Sequence, residues 1–332
     1  MTMYPFTSGQ RQPLAARNAP QSSDCRISVI VPTLNRHEIL GDTLRQVFSQ
    51  RLQEFELIVL DQSDPQLALE QRKRLRQEFP DPRLHYVMLD RRGLPNARNE
   101  GLARARAPIV LFLDDDVILL SRDFLSAHLE AYADPQVGGV CGRVIERRNA
   151  PNSRRTGSRI SWGGRTIENL LGNHPCQIHS LKGANMSFRA AVFDAGGFDR
   201  SYIGTALLEE ADMAWRIARR GWRLVFEPRA ELLHLSAEGG GVREGHELDT
   251  EYWRFRSTAY FVRKNRGLPG VPPFLLTFGL IAAKRFVRWP SPGTLTTLWR
   301  ATRDGFQAAR NPPQDSIPSF AGCAKPLANV AD

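Results

Sequence analysis

Residues 109–116 read IVLFLDDD, a continuous apolar run that leads directly into three aspartates. A short, unbroken apolar run with β-branched residues is typical of a strand that is buried on both faces of a sheet. Three adjacent carboxylates resist burial unless a cation, hydrogen-bond donors or water compensates their charge. The stretch therefore predicts a buried strand that ends at a polar site.

Three similar strands precede this one, at 27–31 (ISVIV), 55–60 (FELIVL) and 84–89. Helical spacing of apolar residues separates them around 39–48, 68–79 and 95–105. Strands that alternate with helices predict an α/β fold, with a Rossmann-like, mostly parallel sheet flanked by helices.

Polar residues follow three of the predicted strands, at 33–35, 61–64 and 114–116. In parallel sheets, ligands bind beyond the carboxyl ends of the strands. The three polar segments are therefore expected to meet at one edge of the sheet and to form a binding site there.

The second half of the chain is less regular. We predict a strand at 137–145, a loop over the Gly-, Arg-, Asn- and Ser-rich stretch 146–180, a helix at 209–220 and strands at 222–226 and 231–235, followed by helices. The domain interpretation is a flexible leader (1–25), one main domain (26–240) and a helical, basic extension (241–332). The main domain would divide into two halves, 26–120 and 121–240.

Composition favours a folded protein in a reducing compartment. Hydrophobic residues make up 42% of the 332 residues, enough for a sizeable core. Residues 1–24 hold no continuous apolar run of the kind that a secretory signal needs, and the four cysteines are widely scattered. These features predict a cytoplasmic location.

Most of the net charge of +10 lies near the C-terminus, where residues 251–332 hold twelve Lys or Arg against four Asp or Glu. The apolar run 271–283 (VPPFLLTFGLIAA) is shorter than the roughly 20 residues that a membrane-spanning helix needs. Its basic and aromatic flank up to 289 suits the surface of a membrane, which would place the protein peripherally on the inner face. The alternative is a core helix with a solvated basic face.

Asp114 and Asp116 have the D-x-D spacing that suits Mg²⁺ or Mn²⁺, because hard cations take carboxylate oxygens together with substrate phosphates. A solvated acidic turn is the alternative. Upstream, residues 93–101 (GLPNARNEG) place Arg98 at a turn that leads into a helix, where a cation suits a phosphate.

Six segments together resemble the family-2 inverting glycosyltransferases of GT-A fold. They are SVIVPTLNR (28–36), ELIVLDQSD (56–64), GLPNARNEGLARARAPIVLFLDDDV (93–117), GANMSFR (183–189), GGFD (196–199) and EEADMAWRIARRGWRL (209–224). Any one of them alone is weak evidence, whereas their joint order is specific.

The resemblance implies a role for each matching residue. Nucleotide-sugar binding falls to Pro32, Thr33, Asn35, Arg36, Asp61, Gln62, Arg98, Asp114 and Asp115. The metal ligand is Asp116, with His234 and Asp114 as further candidates. The family often has two acids where this chain reads Asp61-Gln62, which leaves the donor base open.

The same resemblance implies that Glu210 is the general base, with Glu209 and Asp212 as rivals because Glu replaces the usual Asp. An acidic first turn that stabilises the helix dipole is the alternative reading of all three. Gly183, Ala184 and Asn185 would lie on the acceptor side. The resemblance thus makes 26–120 the nucleotide-sugar half of the main domain and 121–240 the acceptor half. Trp162, Trp215 and Trp222 are candidate surfaces for sugar stacking, although tryptophans pack in cores more often.

The expected function is transfer of a sugar from a UDP-, dTDP- or GDP-sugar to a glycan or lipid-linked acceptor, in cell-surface polysaccharide or glycolipid synthesis. The expected cofactor is Mn²⁺ or Mg²⁺. A nucleotidyltransferase is the alternative, but its Gly-rich triphosphate loop does not follow the first strand. A non-catalytic GT-A scaffold is another. A nucleic-acid-binding protein is disfavoured because the basic charge is concentrated in the tail.

Overall fold

A computed structural model describes residues 25–146, 156–237, 240–241, 247–313 and 316–318. Its strands are β1 (Ile27–Thr33), β2 (Phe55–Asp61), β3 (Leu84–Met88), β4 (Ile109–Leu113), β5 (Val117–Leu119), β6 (Val137–Glu146), β7 (Gly157–Ile160), β8 (Thr166–Asn169), β9 (Cys176–Ile178), β10 (Asn185–Arg189) and β11 (Arg223–His234). Its α-helices are α1 (His37–Phe48), α2 (Pro65–Glu78), α3 (Leu94–Leu102), α4 (Phe124–Glu130), α5 (Glu209–Ala218), α6 (Glu247–Arg266), α7 (Val271–Arg288) and α8 (Pro292–Arg310). Short 3₁₀ turns lie at Ala131–Ala133, Ala190–Ala195 and Leu268–Gly270.

The central sheet has the strand order β3-β2-β1-β4-β10-β6-β11-β5, and β9 pairs with β11. The first four strands along this order are parallel, as predicted. β10 then runs antiparallel to both of its neighbours, β4 and β6. The α/β prediction is confirmed, and the carboxyl ends of β1, β2 and β4 lie at one edge of the sheet.

Helices cover the middle of the sheet on both faces, which explains why β1, β2 and β4 are largely apolar. On β1, Val29 and Val31 join the core beneath α1 and α4, whereas Ile30 joins the core beneath α3 and α5. Alternate residues of a strand point to opposite faces, so a strand covered on both sides needs apolar residues at every position.

Several predictions for the second half were wrong. The predicted loop 146–180 contains the β7–β8 hairpin and β9, while residues 147–155 lie outside the described residues. The two predicted strands 222–226 and 231–235 are one strand, β11, with a register shift between Glu227 and Glu231. β5 and β10 were not predicted. The predicted leader lies outside the described residues up to position 24.

The C-terminal region is helical, as predicted, and α6, α7 and α8 share a core of their own that also includes Tyr202. The apolar helix is longer than the sequence suggested. Leu268–Arg288 spans 21 residues, and an 18-residue window within it has a mean hydropathy of 1.3, so by length and composition this helix could cross a membrane. Only 17% of that window is buried. The 13-residue apolar run 271–283 is therefore part of a longer helix that continues through its basic end. The core helices of soluble proteins also meet these criteria.

Candidate active site

Asp114, Asp116 and His234 form a candidate cation site beyond the end of β4. Their ligand atoms all lie within 4.8 Å of one another. His234 reaches the aspartates because it ends β11 and pairs with Val117, the residue after Asp116. Its Nε2 lies 3.2 Å from Asp116 Oδ1 and 3.7 Å from Asp114 Oδ2.

These three side chains fit a divalent cation. Two carboxylates and one imidazole are an ordinary ligand set for transition metals, and the carboxylates alone suit Mg²⁺ or Mn²⁺. Asp116 is buried, whereas the Asp114 side chain keeps 28% of its exposure and faces the open side. That arrangement leaves coordination positions for the phosphates of a substrate. The predicted grouping of Asp114, Asp116 and His234 is therefore matched by the geometry.

Asp115 is buried and is bound by two residues at and just after the carboxyl end of β1. Thr33 Oγ1 donates to Asp115 Oδ2 at 2.6 Å, and Arg36 Nη1 donates to Oδ1 at 3.0 Å. Burial raises the pKa of Asp115 to about 7, although Thr33 and Arg36 oppose the shift. Asp115 thus holds two of the predicted nucleotide-binding residues in place, and its own contact with a nucleotide stays a prediction.

Arg36 also holds Asp116, since its Nη1 lies 3.0 Å from Asp116 Oδ2. The same oxygen accepts a hydrogen bond from the backbone N–H of Ala237 at 3.0 Å. Burial alone would raise the pKa of Asp116, but His234, Ala237 and Arg36 together lower it below its usual value. Asp116 is therefore held as a carboxylate, the form that binds a cation.

The ends of β1 and β2 lie side by side, as predicted. Gln62 N–H donates to the carbonyl of Thr33 at 3.0 Å, and the Gln62 side-chain oxygen accepts from the N–H of Gly93 at 2.7 Å. Asn35 adopts a left-handed φ of 54°, and its N–H donates to Ser63 Oγ at 2.8 Å. These bonds fix the turns at the predicted nucleotide edge.

Asp61 is completely buried at the end of β2. Its Oδ1 accepts from the N–H of Ser63 at 2.8 Å, and its Oδ2 accepts from the Tyr86 hydroxyl. Burial, together with the Asp61 carboxylate, raises the pKa of Tyr86 well above its usual value. Both oxygens of Asp61 are occupied by protein groups, and its contact with a base or ribose stays a prediction. The sequence reasoning missed Tyr86, which lies within the apolar pattern of β3.

Arg98 is 1% exposed and links α3 to α5. It forms an ion pair with Glu209, and its Nη2 donates to the carbonyl of Gly183 at 3.0 Å. Burial lowers the pKa of Arg98, and the nearby carboxylates of Asp114 and Glu210 oppose that shift. Arg98 therefore lies between the cation site and the start of α5. Its contact with a diphosphate stays a prediction.

Asp212 is an internal anchor of α5. It is completely buried, and it accepts hydrogen bonds from Lys264 at 2.8 Å, Arg216 at 2.9 Å and Asn265 at 2.8 Å. Burial would raise its pKa, but the two cations lower it below the usual value. No sequence pattern singled out Lys264, because it lies on α6, far along the chain from Asp212. These contacts leave Asp212 without access to a substrate.

Glu210 is the member of this acidic turn that stays partly exposed, since Glu209 is buried against Arg98. Burial raises the pKa of Glu210 to about 7, and Glu168 adds to the rise while Arg98 and Lys182 oppose it. A carboxylate with a pKa near neutrality is suited to take a proton from a hydroxyl group. Of the three candidates, Glu210 has the environment of a general base.

The predicted acceptor segment lies between the cation site and α5. The carbonyl of Gly183 faces Arg98, and the carbonyl of Ala184 accepts from the N–H of Asp114 at 3.4 Å. The prediction for Asn185 was wrong: it is completely buried in β10. Its amide nitrogen donates to the carbonyl of Ala230 at 2.9 Å, and its oxygen lies 2.9 Å from His128 Nε2. An amide that is satisfied inside the core cannot contact an acceptor.

The three tryptophans differ in exposure. Trp162 is 65% exposed at the tip of the β7–β8 hairpin, whereas Trp215 and Trp222 are partly buried. The Arg266 guanidinium lies 5.2 Å from the Trp162 ring centre and 5.0 Å from that of Trp215. Trp222 packs against the core beneath α5. Sugar stacking by any of them stays a prediction.

Comparisons with known proteins agree with this architecture. The chain is 31% identical to the uncharacterized glycosyltransferase YfnE of Bacillus subtilis over 124 residues, covering 37% of this chain and 31% of that protein. It is 26% identical to the poly-beta-1,6-N-acetyl-D-glucosamine synthase of Staphylococcus aureus over 212 residues, or 61% of this chain and 48% of the synthase. The chain thus spans less than half the length of these relatives.

Solved structures show the same fold. The mannosyltransferase PcManGT from Pyrobaculum calidifontis, in complex with GDP-Man and Mn²⁺, superposes with a TM-score of 0.54 at 21% identity over 88% of this chain and 77% of its own. S. aureus TarS 1–349, in complex with UDP-GlcNAc, superposes with a TM-score of 0.59 at 18% identity. The superposition covers 86% of this chain and 81% of the TarS chain. The expected GT-A fold is confirmed.

The family model described as glycosyl transferase family 2 matches residues 28–197, which include β1, the cation-site aspartates and the Gly183 segment. This match favours the glycosyltransferase interpretation over the nucleotidyltransferase alternative. The chain belongs to glycosyl transferase family 2.

Proposed function

We propose that the protein moves a sugar from a nucleotide-diphosphate sugar to an acceptor hydroxyl with inversion at the anomeric carbon, in the synthesis of a cell-surface polysaccharide or glycolipid. One observation carries the proposal: the buried Arg98 pairs with Glu209 at the start of α5 and donates to the carbonyl of Gly183. The next residue, Ala184, accepts a hydrogen bond from the N–H of Asp114. A donor held at the cation site and a base at the start of α5 would therefore face each other across a short distance.

Asp114, Asp116 and His234 would hold the divalent metal, Mn²⁺ or Mg²⁺. When bound, the metal offsets the negative charge that develops on the leaving diphosphate. Arg36 and the Ala237 N–H keep Asp116 oriented for this role. The Mn²⁺ in the PcManGT complex supports a metal in this fold.

Glu210 would accept the proton of the acceptor hydroxyl. The acceptor oxygen then forms a bond to the anomeric carbon, the bond from that carbon to the diphosphate breaks, and the nucleoside diphosphate leaves with the electron pair. A single displacement inverts the configuration. Arg98 would keep Glu210 close to the donor through its ion pair with Glu209 at the start of the same helix.

The donor class is a UDP-, GDP- or dTDP-sugar. Proteins of this fold bind GDP-Man and UDP-GlcNAc, which supports a nucleotide sugar without choosing between bases. The likeness to a poly-beta-1,6-N-acetyl-D-glucosamine synthase supports a polysaccharide product.

A membrane surface is the proposed working place, on the cytoplasmic side. α7 buries Phe274 and Phe278 against α6 and α8 but exposes an apolar stripe on its opposite side. The exposed fractions there are 54% for Leu275, 70% for Leu276, 63% for Leu280 and 81% for Val287. Lys284, Arg285 and Arg288 follow along the helix. An apolar stripe beside basic residues suits the boundary between lipid tails and anionic headgroups.

The direct test incubates the full chain with Mn²⁺, a panel of UDP-, GDP- and dTDP-sugars, and a mixture of glycan and lipid-linked acceptors. Release of the nucleoside diphosphate and the anomeric configuration of the product are followed by NMR. We expect one base to be strongly preferred and the product to have the opposite configuration to the donor. A product with retained configuration would overturn the single displacement, and no turnover of any donor would overturn the proposal.

A further inference from the structure

A cavity of about 470 Å³ lies beside the segment that leads into α5, and none of the cation-site residues lines it. The turn of the β7–β8 hairpin, the segment before α5 and the facing sides of α6 and α7 enclose it. The hairpin turn is held against α6 and α7, since a Cβ added at Gly163 would lie 2.7 Å from the carbonyl oxygen of Pro273. The walls of the cavity therefore come from residues 164–208 of the main domain and from the C-terminal helices α6 and α7.

One part of the wall is strongly basic. Arg165, Arg254, Lys284 and Arg285 line the cavity. Glu251 lies 3.2 Å from Arg254 and 2.9 Å from Arg285, so it compensates part of this charge. No acidic residue is among the described residues that line the cavity. The surplus of positive charge favours an anion, and arginine and lysine side chains are usual ligands of phosphate.

The rest of the wall is apolar. Leu207, Leu208, Phe278 and Ile281 line it, and the last two belong to α7. α7 also carries the exposed stripe that includes Leu276 and Leu280. One helix thus contributes an apolar wall to the cavity and an apolar surface to the outside. A ligand with a phosphate and a hydrocarbon chain matches both features.

Two segments join the cavity to Glu210. Leu208 lines the cavity and lies two residues before Glu210. Thr166 lines it from β8, and Glu168 on the same strand acts on the pKa of Glu210. A phosphate bound in the cavity would thus lie close to the proposed base.

We propose that this cavity binds the phosphate and the adjoining hydrocarbon of a lipid-linked acceptor, so that the attached sugar presents its hydroxyl to Glu210. This inference rests on the proposed function and names its acceptor class. A phosphate at the junction of chain and sugar accounts for the cations and the apolar wall together. An ordinary membrane phospholipid shares that chemistry, and the test must distinguish the two.

The test measures binding to the full chain by calorimetry, with farnesyl phosphate below its micelle concentration as the probe. Farnesol lacks the phosphate group and inorganic phosphate lacks the hydrocarbon chain, so each should bind at least about tenfold more weakly than farnesyl phosphate. In the variant R165Q/K284Q, farnesyl phosphate should bind about tenfold or more weakly, because two charged contacts are lost. The control K73Q/R122Q removes two exposed positive charges elsewhere and should stay near the wild-type affinity.

Two outcomes would overturn the inference. One is no binding of farnesyl phosphate, or binding that R165Q/K284Q leaves unchanged. The other is equal competition by phosphatidylglycerol vesicles, which would make the cavity a general lipid site. Binding of nucleotide sugars with Mn²⁺ is measured on the same samples. If it persists while farnesyl phosphate fails, only the acceptor inference is wrong; if it also fails, the proposed function is wrong.

Discussion

Two short acidic runs, residues 114–116 and 209–212, look alike in sequence but have different environments in the fold. In the first run, Asp114 and Asp116 turn toward a common point with His234. In the second run, Glu209 and Asp212 are neutralised separately by Arg98 and by Lys264. Only Glu210 of that run stays partly exposed.

The difference shows what decides the chemistry of a carboxylate cluster. Carboxylates that converge on one open point need a cation, because their charges otherwise repel. Carboxylates that are each paired with a buried cationic side chain are structural. A neighbouring carboxylate without such an ion pair acquires a raised pKa in a low-dielectric setting. The first run therefore suits a metal and a diphosphate, and the second suits proton transfer.

Replacing Asp116 with Asn should have the largest effect, because it removes the central ligand of the cation site. We expect donor turnover to fall about 10³-fold, the loss that corresponds to several kcal/mol of charge stabilisation. Turnover is measured as nucleoside diphosphate release against Mn²⁺ concentration. Circular dichroism checks the fold. Wild-type activity at ordinary Mn²⁺ concentrations would remove Asp116 from the ligand set.

Replacing Asp212 with Asn should mainly reduce stability. The variant leaves Arg216 and Lys264 without a buried carboxylate that both contact, and we expect the free energy of unfolding to fall by about 3 kcal/mol. Urea unfolding measures it, with Glu210→Gln as the matched control in the same helix turn. The control should lose no stability. Equal stability losses in the two variants would contradict the separation of a structural from a functional carboxylate.

The fold was predictable where one local pattern decided it. β1, β2 and β4 are largely apolar because both faces are covered, and this can be read without a partner strand. β10 has mixed polarity (NMSFR), and it is a strand because β4 and β6 hold it on both sides. The β7–β8 hairpin likewise has no apolar run. Pairing between distant segments decides such elements.

The site was predictable in residue type but not in orientation. Asp114, Asp116 and His234 meet as expected, since they follow strand ends at one edge. Asn185 was assigned to the acceptor, although its side chain points into the core, and a strand offset of one residue decides that choice. Lys264, which neutralises Asp212, comes from α6, and only the tertiary packing brings it near.

Replacing Glu210 with Gln should lower transfer by about 10²-fold or more, the usual contribution of a general base. The glutamine keeps the size of the side chain but cannot accept the proton. Transfer is measured with saturating donor, so that a change in donor affinity does not contribute. Glu209→Gln is a poor control, because it would leave Arg98 buried without its partner. If the Glu210→Gln variant stays active, another residue must be the general base.

The pH profile should show the smallest effect. Because the pKa of Glu210 is raised to about 7, its carboxyl group stays protonated below about pH 7. It can act as a base only when it is ionised. The rate should therefore rise about tenfold per pH unit below 7 and level off above it. The Glu210→Gln variant should lack this rise. An inflection near pH 4.5 in the wild type would contradict the buried environment of this carboxylate.

We assign metal and donor binding to residues 114–116 and proton transfer to Glu210. Donor binding tests this assignment most directly. Calorimetry is performed with the preferred nucleotide sugar on the wild type, Asp116→Asn and Glu210→Gln, each with and without Mn²⁺. We predict that Glu210→Gln binds the donor with Mn²⁺ as tightly as the wild type, whereas Asp116→Asn loses the Mn²⁺-dependent part of the affinity. Metal-dependent binding that survives in Asp116→Asn and disappears in Glu210→Gln would contradict the account.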